Sequence, residues 1–161
     1  MKAYIAGELL ELSLGFEKNA QEIYEKWAEK FSGEADVADF WREYSGDEAY
    51  HAHLLEDLRA RIPPAQLAAL IESDLVGDTR RLLSSLQNQP DIKDLDQAYQ
   101  FANMIEHSEV NPLFEVIISY FETDEEARNL LRSQLEEHIN KLIYKFPQRF
   151  SRSELRREIK V

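Results

Sequence analysis

Steps of three and four residues separate Leu10, Ser13, Glu17, Ala20, Tyr24, Ala28 and Phe31, the spacing that lines up side chains on one face of an α-helix. The same spacing returns at Phe40, Tyr44, Glu48, His51, Leu55, Leu58 and Ile62, then at Ala102, Glu106, Glu109, Leu113, Ile117 and Tyr120, and last at Leu131, Leu135, His138 and Leu142. Each stripe thus sets ionisable groups among apolar, small or aromatic neighbours. A buried glutamate is costly unless it is paired, protonated or bound to a cation. The stripes contain no Lys or Arg to compensate. Any fold this chain adopts must solve that problem, and a metal ion held by carboxylates and imidazoles is the economical solution.

A length of 161 residues fits one domain with a substantial core. With only 5 Gly and 5 Pro, the composition favours helix over strand, and the expected fold class is all-α. The first helix is expected from about Ala3 to Phe31, ended by Ser32-Gly33. The second opens near Asp36 and runs to about Arg61, where Pro63-Pro64 stops it. Residues 65–87 carry a further helical pattern through Leu67, Leu70, Ile71, Leu75, Leu82, Leu83 and Leu86, with a break expected at Gly77. Residues 87–94 read as a loop through Pro90. That whole stretch is long enough to cross the length of a bundle, leaving the next helix parallel to its predecessor. The third core helix is expected over Leu95 to Phe121, kinked at Pro112. Thr123-Asp124-Glu125-Glu126 reads as a capping box opening a fourth, which ends near Pro147.

Residues 1–145 are therefore read as the helical bundle and residues 146–161 as a basic tail. From Lys141 onward the chain has Lys or Arg at 141, 145, 149, 152, 156, 157 and 160, against Glu154 and Glu158. A short helix after Ser151 or Ser153, docked on the acidic body of a second subunit, is one expectation for this tail; a solvated arm is the other.

The net charge of −12 argues against nucleic acid as a main partner, because a phosphate backbone needs a basic surface. No stretch approaches the length of a membrane span, and Glu8 and Glu11 interrupt the early apolar run that a signal peptide would need. The expectation is a cytoplasmic protein that meets neither nucleic acid nor membrane. The absence of cysteine excludes thiolate clusters and disulfides. Any redox cycle therefore depends on an external electron donor.

The candidate metal ligands are Glu17, Glu48, His51, Glu106, Glu109 and His138. Glu48 and His51 are three residues apart and project from one helical face within reach of one ion; Glu106 and Glu109 are likewise one turn apart. His53 and His107 read as surface or supporting groups. Four glutamates balance two divalent ions in charge. A carboxylate-bridged pair of metals in the core of a helical bundle is the arrangement such donors allow.

These residues resemble a known family. Glu17-Lys-Asn-Ala-Gln-Glu-Ile-Tyr24 looks like the first-helix motif of the rubrerythrin branch of the ferritin-like superfamily. Asp47-Glu48-Ala-Tyr-His51 is similar to its second-helix E-x-x-H, and Glu106-His107-Ser108-Glu109 to the paired glutamates of its third helix. The likeness covers roughly residues 3–62 and 95–145. It implies a ferritin-like four-helix bundle with a long helical crossover between helices 2 and 3, and a homodimer. It also implies a non-haem di-iron centre that reduces hydrogen peroxide or oxidises ferrous iron. Glu48 and Glu109 are then the candidate catalytic carboxylates, and Tyr24 a hydrogen-bonding support for a ligand. On the fourth helix the family pattern calls for glutamate where this chain has Leu135. Gln134 and Glu137 are the candidate substitutes, Gln134 on nearly the same face and Glu137 about a quarter-turn away. A different class of function remains open: a non-enzymatic bundle that stores or senses metal, or a purely structural dimer with a degenerate site.

Overall fold

Long windows without proline become the two longest helices. The computed structural model describes residues 3–72, 75–107 and 110–147. In it α1 spans Ala6–Lys30 and α2 spans Ala35–Arg61. Residues 31–34 join them, and so short a link folds α2 back along α1, making the most extensive helix pairing of the molecule. After α2 come a one-turn helix α3 (Pro64–Leu67), α4 (Leu75–Gln87), α5 (Leu95–Glu106), α6 (Val110–Phe121) and α7 (Glu125–Lys145). Two three-residue strands, β1 (Ala3–Ile5) and β2 (Leu70–Glu72), complete the described elements. The chain is all-α apart from that small ribbon.

The predicted stripes of the first two helices are buried largely as expected: Leu10, Ser13, Glu17, Ala20, Tyr24 and Ala28 on α1, with Phe31 past its end half-buried, and Phe40, Tyr44, Glu48, His51, Leu55 and Leu58 on α2, with Ile62 just past its end. Ser13 meets the cost of burial by donating its hydroxyl to the Leu9 carbonyl at 3.0 Å. Trp41, Tyr24 and Tyr44 are the largest fully buried side chains, so the centre of the α1–α2 pair is aromatic. Phe146, just past α7, closes onto Phe40, Trp41 and Tyr99. The packed body thus reaches one residue into what the sequence marks as tail. Residues 148–161 lie outside the described residues.

Several boundaries differ from the sequence reading. The first helix starts at Ala6 because Ala3–Ile5 pairs antiparallel with Leu70–Glu72, in the register Ala3 to Glu72, Tyr4 to Ile71 and Ile5 to Leu70. The helical pattern expected over residues 65–87 is accordingly broken at residues 68–72 rather than at Gly77, which lies inside α4. Leu70, expected on an inward helical face, is 72 % exposed on the ribbon. Gly7 permits this docking: a Cβ there would sit 3.1 Å from the Leu67 carbonyl oxygen. The third core helix is two helices, α5 and α6, interrupted after Glu106. Pro112 falls in the first turn of α6, where its missing N–H costs nothing, and so it starts a helix instead of kinking one. Tyr120, placed inward by periodicity, is exposed. At α7 the cap is Asp124, whose carboxylate accepts from the Glu126 N–H at 3.0 Å, in place of a Thr123 capping box. Among the described residues no helix is long and apolar enough to cross a membrane.

Candidate metal centre

Five of the predicted ligands converge. Glu17 comes from α1, Glu48 and His51 from α2, Glu106 from the last turn of α5, and His138 from α7. Their exposures are 2, 2, 4, 8 and 4 %. They form two groups of three: Glu17, Glu48 and His51, and Glu48, Glu106 and His138. In each group the donor atoms all lie within 4.8 Å of one another. Glu48 belongs to both. Its Oε2 lies 3.1 Å from His51 Nδ1 and its Oε1 3.1 Å from His138 Nε2. The first group is completed by Glu17 Oε2, 3.4 Å from His51 Nδ1. The second is completed by Glu106 Oε2, 3.4 Å from His138 Nε2.

Burial dominates the electrostatics. It pushes the Glu17 carboxyl well above the usual range, and the negative charge of Glu48 beside it adds to the rise. Burial also works against ionisation of Glu48. The charge and hydrogen bond of His138, with the hydrogen bonds of His51 and Glu17, outweigh it and hold that carboxyl well below its ordinary value. For His51 burial favours the neutral ring, yet hydrogen bonds and charges from Glu17 and Glu48 prevail and raise its pKa to about 10. Burial likewise opposes protonation of His138, and the charges of Glu48 and Glu106 override it upward. The two imidazoles thus lie among buried carboxylates that favour their protonated form.

A supporting layer surrounds the second group. Asp47 Oδ2 lies 3.3 Å from His138 Nδ1 and accepts from Lys141 Nζ at 2.6 Å. This orients the ring and leaves Nε2 aimed at the carboxylates. Tyr44 stacks on the same imidazole at 3.9 Å, and the Tyr24 hydroxyl donates to Glu106 Oε1 at 2.7 Å. The first group has no such scaffolding for Glu17, whose buried Oε2 meets His51 Nδ1 at 3.4 Å as an ion-pair contact but makes no well-formed hydrogen bond. Asp47 and Lys141 were missed as functional positions. Asp47 immediately precedes Glu48, and Lys141 lies three residues after His138 on α7, which is the sequence signal that could have singled them out.

Comparison with protein-family models, curated proteins and solved structures gave no match. Glu109 lies outside the described residues. Leu135 is half-buried and packs against the core; Gln134 is half-buried, while Glu137 is exposed and belongs to neither group of donors. His53 and His107 are exposed, as expected of groups outside the centre. The donor set, hard carboxylate oxygens plus one imidazole nitrogen per group, suits a first-row divalent ion. The Glu17 oxygen, buried and held by no well-formed hydrogen bond, is the kind of acceptor that a cation satisfies.

Proposed function

We propose that this chain is a ferritin-like bundle of rubrerythrin type, holding iron at two positions with Glu48 common to both. Its activity in this reading is peroxide reduction or ferrous iron oxidation with an external electron donor. The observation that carries the proposal is the sharing of Glu48 between two buried carboxylate–histidine triads. A core that needed only internal neutralisation would be served by one ion pair; two triads meeting in one carboxylate suit a pair of metals. The helices fit the same plan. Donors come from α1, α2, α5 and α7, and in the order of elements α3 and α4 lie between the second and third donor helices, which supports the reading.

Iron, when bound, would supply a one-electron couple at each position, and so the two electrons that a peroxide takes up. The protein's own part is visible in its side chains. Glu17, Glu48 and Glu106 supply oxygen donors and offset the ionic charge, while His51 Nδ1 and His138 Nε2 supply one imidazole each. Asp47 fixes the His138 tautomer. Tyr24 restrains one oxygen of Glu106, and the ring of Tyr44 helps to exclude water from the second position. With Leu135 on its inward face, α7 contributes an imidazole and no carboxylate to the two donor groups, and in this reading the two positions are unequal in their surroundings. The chain has no cysteine with which to hold a redox module of its own, and a homodimer meeting a separate donor belongs to the same proposal.

A second reading has one observation in its favour: the histidines and carboxylates already pair with one another without an ion. That suits a bundle that senses metal or is purely structural. The deciding experiment is elemental analysis of untagged protein followed by anaerobic Fe(II) titration. Uptake of about two equivalents supports the proposed centre, and uptake of about one leaves a binding or sensing site. No uptake, with an unchanged melting temperature, overturns the metalloprotein reading.

A further inference from the structure

The aromatic core is continuous with the centre. Tyr24, hydrogen-bonded to Glu106, lies nearly parallel to Trp41, with centroids 5.5 Å apart and an interplanar angle of 15°. Trp41 meets Trp27 edge-on at 4.9 Å, and Tyr44 links the stack to His138 at 3.9 Å and to Tyr24 at 4.9 Å. Trp27 is the outer end. It lines a surface depression of about 300 Å³ together with Lys26, Lys30, Gln89, Pro90, Asp91 and Ile92. Two easily oxidised indoles thus stand in contact between the candidate metal centre and that depression, where Trp27 keeps 3 % of its surface exposed. Packing alone explains large rings in a core. It does not explain why Trp41 Nε1 is buried with no hydrogen-bond partner, since a purely structural site has an apolar ring available at no such cost.

We propose that Trp41 and Trp27 form a one-electron relay that connects the metal centre to a small reductant at the Trp27 depression; this rests on the iron-centre reading above. Reduction of hydrogen peroxide to two waters consumes two electrons and two protons. When one metal position supplies a single electron, Trp41 supplies the second through the Tyr24 and Tyr44 rings, and solvent supplies the protons. Trp41 becomes a radical cation that keeps its N–H, because no acceptor faces that nitrogen. Trp27 then returns an electron to Trp41, and an enediol reductant of ascorbate type returns one to Trp27; a second one-electron oxidation of the reductant, passed along the same rings, restores the electron given by the metal position. Each transfer moves one electron, and no bond of either indole is broken.

The test is Fe(II) titration followed by peroxide addition, rapid freezing and electron paramagnetic resonance, with and without ascorbate. The proteins compared are wild type, Trp41→Phe, Trp27→Phe and the control Tyr50→Phe, whose ring is exposed on α2. Wild type and the control should show a tryptophan radical that ascorbate quenches. W41F should bind the same iron and lose the signal. W27F should keep a radical on Trp41 that ascorbate no longer quenches, which also covers the case in which W41F fails to fold. Normal iron binding and peroxide consumption with no tryptophan radical would overturn the relay and leave the metal centre standing. A radical unchanged in both indole variants would overturn it as well. Absence of iron binding would remove both proposals together.

Discussion

Replacing Glu17 by methionine should stabilise the metal-free protein and weaken the metal-loaded one. Glu17 is 2 % exposed, its Oε2 has no hydrogen-bond partner, and burial followed by the Glu48 charge holds its carboxyl far above the normal range. Methionine fills a similar volume and removes that burden. Replacing a whole buried ion pair by well-packed apolar groups is neutral or stabilising by about 1–4 kcal/mol, whereas removing one partner of an intact pair is destabilising; burial disfavours the charged form of Glu17, which puts this exchange nearer the first case. The lower half applies here, because His51 loses one of two carboxylate neighbours and keeps Glu48 at 3.1 Å. A gain of about 1–2 kcal/mol in a chain of this size corresponds to a rise of about 2–8 °C in Tm. Metal acts in the opposite direction. At a free ion concentration of about 100 Kd the wild type gains about 2.7 kcal/mol, and E17M, lacking one donor of the first triad, should lose much of that gain. The order of melting temperatures should therefore invert between chelator and metal in scanning calorimetry under anaerobic conditions. E17M melting below wild type in chelator, together with a full metal-induced rise, would refute the reasoning. That result would mean Glu17 is a structural ion-pair partner and not a donor waiting for a cation.

Leu135→Glu should lower the metal-free melting temperature by several degrees, since it adds an acid beside a core already rich in carboxylates. It should raise the second equivalent of iron bound and the peroxidase or ferroxidase rate, read by anaerobic titration and stopped-flow absorbance; unchanged stoichiometry would show that the missing acid is not what makes the positions unequal. Asp47→Asn should weaken metal binding by about 10–100-fold through loss of the carboxylate that orients His138. Competition with a chromophoric chelator measures this, and an unaltered affinity would remove Asp47 from the site. For the metal-free protein the pH dependence has a defined sign. His51 is raised to about 10 when folded, so its stabilisation is complete below its unfolded value near 6.5 and is lost as pH rises towards 10. Glu48 is depressed, so its contribution holds above about 4.5 and disappears in acid. Denaturant titrations from pH 5 to 10 should thus show stability falling over the alkaline half, and a flat profile would contradict the imidazolium pairing.

Much of this architecture can be read from local pattern. The steps of three and four that bury Glu17, Tyr24, Glu48 and His51 are properties of single helices, and apolar neighbours on a shared face dictate the rotation of each helix about its own axis. Glu48 and His51 had to share a face, and Pro63-Pro64 had to end α2. The all-helical class followed from the same residues. Other features depended on contacts between segments far apart in sequence. Nothing near Ala3 announces a strand, because β1 exists only through its pairing with residues 70–72. The division of the third core helix into α5 and α6 is likewise absent from the 3.6-residue rhythm, which runs unbroken through it. The sharing of Glu48 between His51 and His138 depends on how far apart α2 and α7 pack, and periodicity carries no distance between helices. The pairing of Lys141 with Asp47 across 94 positions has the same origin. Sequence alone determined the inward face of α1 and α2, since that is set by the backbone of each helix, while Leu70 and Tyr120 turned outward where the chain left the expected helix or its packing. Only the tertiary structure decided which inward side chains meet and where the charge comes from, because those depend on the separation and register of helices that no local pattern encodes.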